Sequence, residues 1–151
     1  MGFRGVYYNS IDTKGRVSIP AKFREELEEG FGDQSLVVTQ DRGGVVAYPT
    51  SVWQKVVEKF ELLDKDQFWE DLYTYTITPA TDCCFDKQGR IQLPQSLREN
   101  CQMATDGMRD VVVVGGDNKI EVWSKAKYTE MLEAAERRLA ASRDKRFDLG
   151  L

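Results

Sequence analysis

The chain has 151 residues, 41% of them hydrophobic and 30% charged, with 21 basic and 25 acidic side chains and a net charge of −4. That length fits one ordinary domain or two very small ones, and the composition excludes collagen, low-complexity disorder and a disulfide-dense scaffold. Histidine is absent, which removes the commonest general base and the commonest metal ligand together.

The first predicted element is a strand over 6–11. Asp12-Thr13-Lys14-Gly15 then reads as a turn, with Gly15 able to take a positive φ. Residues 16–19 alternate Val17 and Ile19 with Arg16 and Ser18, the period of a short second strand. Pro20 opens a helix at 21–29, where a missing N–H costs least; Phe23 and Leu27 lie on one face, and Gly30 and Gly32 end it. Strands over 35–40 and 45–48 follow, joined by Gly43-Gly44. Thr50 or Ser51 is placed to cap a helix with Val52, Trp53, Val56, Val57, Phe60 and Leu63 on one face.

Residues 64–78 carry Phe68, Trp69, Leu72, Tyr73 and Tyr75 among acids, and read as a connecting helix running into a strand. The same order of elements then repeats. A closing helix over 125–143 sets Tyr128, Met131, Leu132, Ala135 and Leu139 along one stripe, and the tail, 142–151, reads as short and flexible.

The repetition is the strongest signal in the chain. Residues 12–24, DTKGRVSIPAKFR, match 86–98, DKQGRIQLPQSLR, without a gap at an offset of 74. Asp12 answers Asp86, Gly15 answers Gly89, Arg16 answers Arg90, Pro20 answers Pro94 and Arg24 answers Arg98. A half of this size supplies little core by itself. The halves are therefore expected to pack about a pseudo-two-fold axis as one unit.

Charge is distributed unevenly. Residues 1–26 hold five basic and three acidic side chains, and 86–98 hold three and one, whereas 28–82 hold four and eleven. Screening acts over about 8–10 Å, so a local basic face can work on an acidic molecule. An Asp opening a turn can accept turn N–H bonds and hold an Arg four residues on. The Arg fork is then presented on a rigid tip, suited to phosphate oxygens or a guanine edge. For a single tip the plainer reading, a hairpin that merely folds, is favoured, and a fold repeat also repeats structural residues. Arg24 and Arg98 fit a structural ion pair at least as well as a DNA contact.

The remaining chemistry-bearing residues point nowhere else. Cys83, Cys84 and Cys101 make a poor disulfide framework and read as small apolar residues in a reducing compartment. Carboxylate pairs such as Glu25/Glu26 and Asp64/Asp66 lie in polar stretches and read as solvated, and no nucleophile elbow, P-loop or Rossmann pattern occurs. Gly115-Gly116-Asp117-Asn118 reads as a hairpin turn. No apolar run approaches the roughly 18 residues of a membrane span, and the first five residues lack a signal-peptide core. The expectation is a non-enzymatic cytoplasmic protein with no cofactor and no metal.

The two motifs D-x-K-G-R-V-x-I-P-x-x-F-R and D-K-Q-G-R-I-x-L-P-x-x-L-R, the opening Phe3-Arg4-Gly5 and the late stretch Val113–Trp123 closely resemble the MraZ family over about residues 3–135. The resemblance implies an α+β fold, a pseudo-two-fold duplicated AbrB-like swapped-hairpin β-barrel with flanking helices. It divides the chain into a first SpoVT-AbrB-like domain at 5–63, a connector at 64–78, and a second domain with the C-terminal helix at 79–143. It implies a transcriptional regulator, usually a repressor, that binds short direct repeats in double-stranded DNA upstream of its own gene, at the head of the division and cell-wall cluster. It further implies a closed homo-oligomeric ring, an octamer or dodecamer, and association with the nucleoid. The matching DNA-binding residues are Lys14, Arg16, Lys87 and Arg90, on hairpins supported by Asp12, Gly15, Asp86 and Gly89. Arg4, Lys22, Arg24 and Arg98 are secondary candidates. The acid-rich connector departs from the family pattern, which commonly carries basic residues there. The competing reading is a protein-interaction module, antitoxin-like or an enzyme inhibitor, without DNA readout.

Overall fold

The structure is a computed structural model that describes residues 2–103 and 109–151. The first half supplies β1 (Val6–Ser10), β2 (Arg16–Ser18), α1 (Ala21–Phe31), β3 (Ser35–Asp41), β4 (Gly44–Pro49) and α2 (Thr50–Glu61). The second supplies β5 (Thr81–Cys84), β6 (Arg90–Gln92), α4 (Gln95–Asn100), β7 (Asp110–Gly115), β8 (Ile120–Ser124) and α5 (Lys125–Ala140). Between them lie α3 (Gln67–Leu72) and one π-helical turn at Tyr73–Ile77; α6 (Arg143–Asp148) ends the chain.

Six strands form one antiparallel sheet in the order β1-β7-β8-β4-β3-β5. β1 belongs to the first half yet pairs with β7 of the second, and β5 belongs to the second yet pairs with β3 of the first. The order reads the same from either end when each strand is replaced by its repeat counterpart. A pseudo-two-fold axis therefore passes between β4 and β8. β2 and β6 leave the sheet and pair with each other as a two-stranded ribbon, Val17 opposite Ile91.

Alternation along the strands divides the apolar side chains between two faces. Leu36, Val38, Val45, Ala47, Val111, Val113, Ile120 and Val122 enter one core with Val17, Ile19, Ile91 and Leu93 from the ribbon segments, Phe23 and Leu27 from α1, and Leu97 from α4. The ribbon thus lies over the core as a lid, its inner side chains fully buried. α2 and α5 pack on the other face, where Trp53, Phe60 and Trp123 are buried.

Helix ends follow local chemistry. α1 runs through Gly30 and stops at Gly32, which takes φ +71° while its N–H and that of Asp33 return to the carbonyls of Glu28 and Leu27. Contrary to the sequence expectation, neither Thr50 nor Ser51 caps α2: both lie inside the helix, and Pro49 occupies the cap position. Asp33 Oδ2 reaches across to accept from Ser51 N at 3.1 Å and Ser51 Oγ at 2.7 Å. Ser124 caps α5 through Lys127 N.

Three segments differ from expectation. The connector does not run into a strand at 73–78. Its π turn leaves the carbonyls of Tyr75 and Thr76 unpaired within the helix, and the buried side chains of Gln40 and Thr39 on β3 donate to them. The tail forms α6 instead of an unstructured end. The closing helix stops at Ala140, and its stripe is not buried: Tyr128, Met131 and Ala135 are half-buried, and Leu132 and Leu139 are exposed.

Candidate nucleic-acid interface

Each tip is a three-residue hairpin loop closed by a glycine bulge. At the first, Gly15 N donates to Asp12 O and Asp12 N to Arg16 O, both at 3.0 Å. Asp12 Oδ1 accepts from the N–H groups of Lys14 and Arg16 at 2.9 Å, and Asp12 Oδ2 accepts from Arg16 Nε at 2.7 Å. The second tip repeats this bond for bond. Asp86 Oδ1 accepts from Gln88 N and Arg90 N, and Asp86 Oδ2 from Arg90 Nε at 2.8 Å. These backbone N–H bonds to Arg16, followed by its side-chain bond, hold the Asp12 carboxyl down at about 2; Asp86 is lowered for the same reasons.

The glycines are held across the pseudo-two-fold. Gly15 is buried at φ +83°, and a Cβ there would lie 2.5 Å from Arg98 Nε. Gly89 is buried at φ +75°, with Arg24 Cζ 2.6 Å from the same point. Arg24 Nε donates to Ile19 O and Arg98 Nε to Leu93 O. Each helix arginine therefore lies against the opposite half's tip. The backbones are tied as well: Ile19 N donates to Gly89 O and Leu93 N to Gly15 O. The two tips form one composite rather than two separate fingers.

The ribbon then fixes where the readers point. Val17 and Ile91 face the core, so Arg16, Ser18, Arg90 and Gln92 share the outer face. Arg16 and Arg90 are diagonal neighbours on it, their side chains 30% and 25% exposed. Lys14 and Lys87 are fully outward on the loops, and Lys22 is exposed on the first turn of α1. Arg4 is not brought to this face. It precedes the opposite end of β1, where Phe3 pairs with Asp117 and Gly115 makes room for the backbone of Phe3 and Arg4.

Sequence reasoning missed two contributors on the ribbon. Gln92 Nε2 donates to Lys14 O at 3.0 Å, and Gln88 Oε1 accepts from Arg90 Nη2 at 3.1 Å. The repeat marks the tip positions but says nothing of bonds between halves. The other candidates are otherwise engaged: Asp66 caps α3 through Trp69 N, Glu26 accepts from Gly2 N, and Gly116 N closes the β7–β8 turn on Lys119 O. The three cysteines are free, and Cys83 Sγ–H donates to Gln92 O at 3.3 Å. Among the described residues no cluster of three metal-ligating side chains occurs, and no helix is long and apolar enough to cross a membrane.

A family model described as "MraZ protein, putative antitoxin-like" matches residues 3–72 and 76–149. The chain is 45% identical to the "Transcriptional regulator MraZ" of Syntrophotalea carbinolica over 150 residues, covering 99% of both chains. It is 34% identical to the protein of that name in Pediococcus pentosaceus, again over 99% of both. With its namesake in Geobacter sulfurreducens it shares 39% identity over 138 residues, 83% of this chain and 84% of the relative.

Proposed function

The chain belongs to the MraZ family, and on that premise we propose that it is a DNA-binding transcriptional regulator. The observation that supports this most is the display of Arg16 and Arg90 side by side on one stiff two-stranded ribbon, each oriented by its own aspartate. A β-ribbon fits a major groove, and an Arg fork suits a base edge or a phosphate. Lys14 and Lys87 flank the ribbon as phosphate contacts. Arg24 and Arg98 act under the tips as positioning residues, and Lys22 is the nearer secondary contact.

The interleaved halves, 5–63 and 79–143, correspond to two fused AbrB-like domains of the swapped-hairpin barrel type, with 64–78 as connector. One ribbon makes few contacts and binds weakly. A homo-oligomeric ring multiplies them, because later contacts become effectively intramolecular. Rotational symmetry then matches direct repeats upstream of the protein's own gene, in the division and cell-wall cluster, with repression the outcome and nucleoid association in the cytoplasm the location. Cofactors have no part in it.

The decisive experiment is a binding titration on duplex DNA from the chain's own upstream region. R16A/R90A is expected to lose affinity while keeping its circular dichroism spectrum. The logarithm of affinity should fall linearly with that of salt concentration, and K14A should lower the slope by about 1. Retained affinity in the double variant, or a flat salt dependence, refutes it. The second reading is a protein-interaction module without DNA readout, favoured by the exposed Phe147, Leu149 and Leu151 at the C-terminus. It would prevail if the duplex is not bound.

A further inference from the structure

The pseudo-two-fold holds for most bonds around the ribbon. Asn9 Nδ2 donates to Ser18 O, and its counterpart Cys83 Sγ–H donates to Gln92 O. The Asp–Arg clasps and the helix arginines match likewise. Two features break the symmetry, and both lie on the outer face.

The first concerns the arginine forks. Arg16 is bonded through Nε to Asp12, and its two terminal nitrogens make no hydrogen bond among the described residues. Arg90 is bonded through Nε to Asp86 and through Nη2 to Gln88 Oε1, and its Nη1 lies 3.7 Å from Asp12 Oδ2. The counterpart of Gln88 is Lys14, a cation that cannot accept from an arginine. The second concerns the loop backbones. Gln92 ties down the Lys14 carbonyl. Its counterpart Ser18 is too short to do the same for Gln88. The first tip thus has a pinned backbone and an open fork. The second lacks that one tie, and its fork is held by two hydrogen-bond acceptors and an ion pair to Asp12.

We propose that Gln88 and Gln92 are specificity-determining residues that make the ribbon a directional reader, its two sides preferring different bases. This rests on the DNA-binding reading above. Arg16, with both terminal nitrogens free, makes the bidentate base contact. Arg90 offers a fork already partly engaged, and Gln88 competes with the base for it. Gln92 stands directly opposite Arg16 on the ribbon, with its amide Nε2 on Lys14 O, whereas Ser18, with only a hydroxyl, stands opposite Arg90. An Arg fork favours guanine and a glutamine amide favours adenine, so the two sides present unlike donor and acceptor patterns.

The test is selection from a pool of randomised duplexes with the full-length protein, comparing wild type with Q88K/Q92S, which places the first half's lysine and serine at these two positions. Wild type is expected to select an asymmetric unit. The variant should change the preferred bases by about 5- to 150-fold in relative affinity, on the Arg90 side through Gln88 and on the Arg16 side through Gln92. K14Q, which supplies Arg16 with the acceptor Arg90 already has, should move preference on the Arg16 side alone; it keeps the test open should the double variant fail to fold. Preferences unchanged in both variants, with binding intact, overturn the directional reader and leave the regulator standing. Failure of the wild type to enrich any duplex overturns both.

Discussion

The glycine of the first tip offers a clean separation of backbone strain from packing. In G15A the new residue sits at φ +83° and its Cβ meets the Arg98 guanidinium at 2.5–2.6 Å. A positive φ costs an L-residue about 1–2 kcal/mol. Displacing Arg98 from its rotamer and weakening its bond to Leu93 O adds about 1 kcal/mol. The loss of unfolded-state freedom offsets about 0.4–1 kcal/mol. G15A should therefore destabilise by about 2 kcal/mol. Gly32, with φ +71° and nothing within 4 Å of an added Cβ, is the control: G32A should cost about 1 kcal/mol. Urea unfolding at equal m gives both numbers. In an R98A background the excess of G15A over G32A should vanish, a coupling of about 1 kcal/mol in a double-mutant cycle. If G15A is no worse than G32A, or if its penalty survives the removal of Arg98, the buttressing of the tip by the opposite helix is refuted.

Acid should loosen the same tip. Asp12 titrates at about 2 when folded, below its ordinary value of 3.8, so its contribution is fully present above about 4 and is lost as pH falls through about 2. The difference in urea midpoint between wild type and D12N should accordingly shrink over that window, and carboxyl NMR should place the Asp12 midpoint near 2. D33A removes the acceptor shared by Ser51 N and Ser51 Oγ and should cost about 1 kcal/mol, read as a lowered Tm. I91A empties a fully buried position beneath the ribbon and should cost about 3 kcal/mol by urea unfolding, with Arg90 and DNA affinity disturbed in proportion.

The strands, the two tips and the proline-opened helices were legible because each carries a local signature: alternation, Asp-x-x-Gly-Arg, or Pro at a helix start. The connector was misread because Tyr and Thr favour strands in isolation. Gln40 and Thr39, more than thirty residues away, settle it by donating hydrogen bonds to the turn's carbonyls. The stripe on α5 obeys helical spacing, but spacing alone does not say what covers it, and Leu132 and Leu139 lie open. Arg24 and Arg98 were visible as repeated residues. Their placement under Gly89 and Gly15 was not, since an offset of 74 fits pairing within each half as readily as pairing between halves.

That pairing between halves bears on why the motif is duplicated within one chain. If the ribbon were built from two identical chains, every side chain on its outer face would occur twice in the same setting, and a lysine facing Arg16 would face its mate as well. Covalent fusion lifts that constraint. Asp12 and Asp86 each clasp their own tip, while Gly15 and Gly89 lie against Arg98 and Arg24 of the opposite half, so a change at any of these would disturb the ribbon. Lys14 and Gln88, or Ser18 and Gln92, face outward, and there the two halves differ. On the outer face the pairs that differ flank two arginines that agree, and those differing pairs are the ones that can set a direction. A surface that must distinguish one direction along a duplex from the other is better served by this arrangement than by any strictly two-fold one.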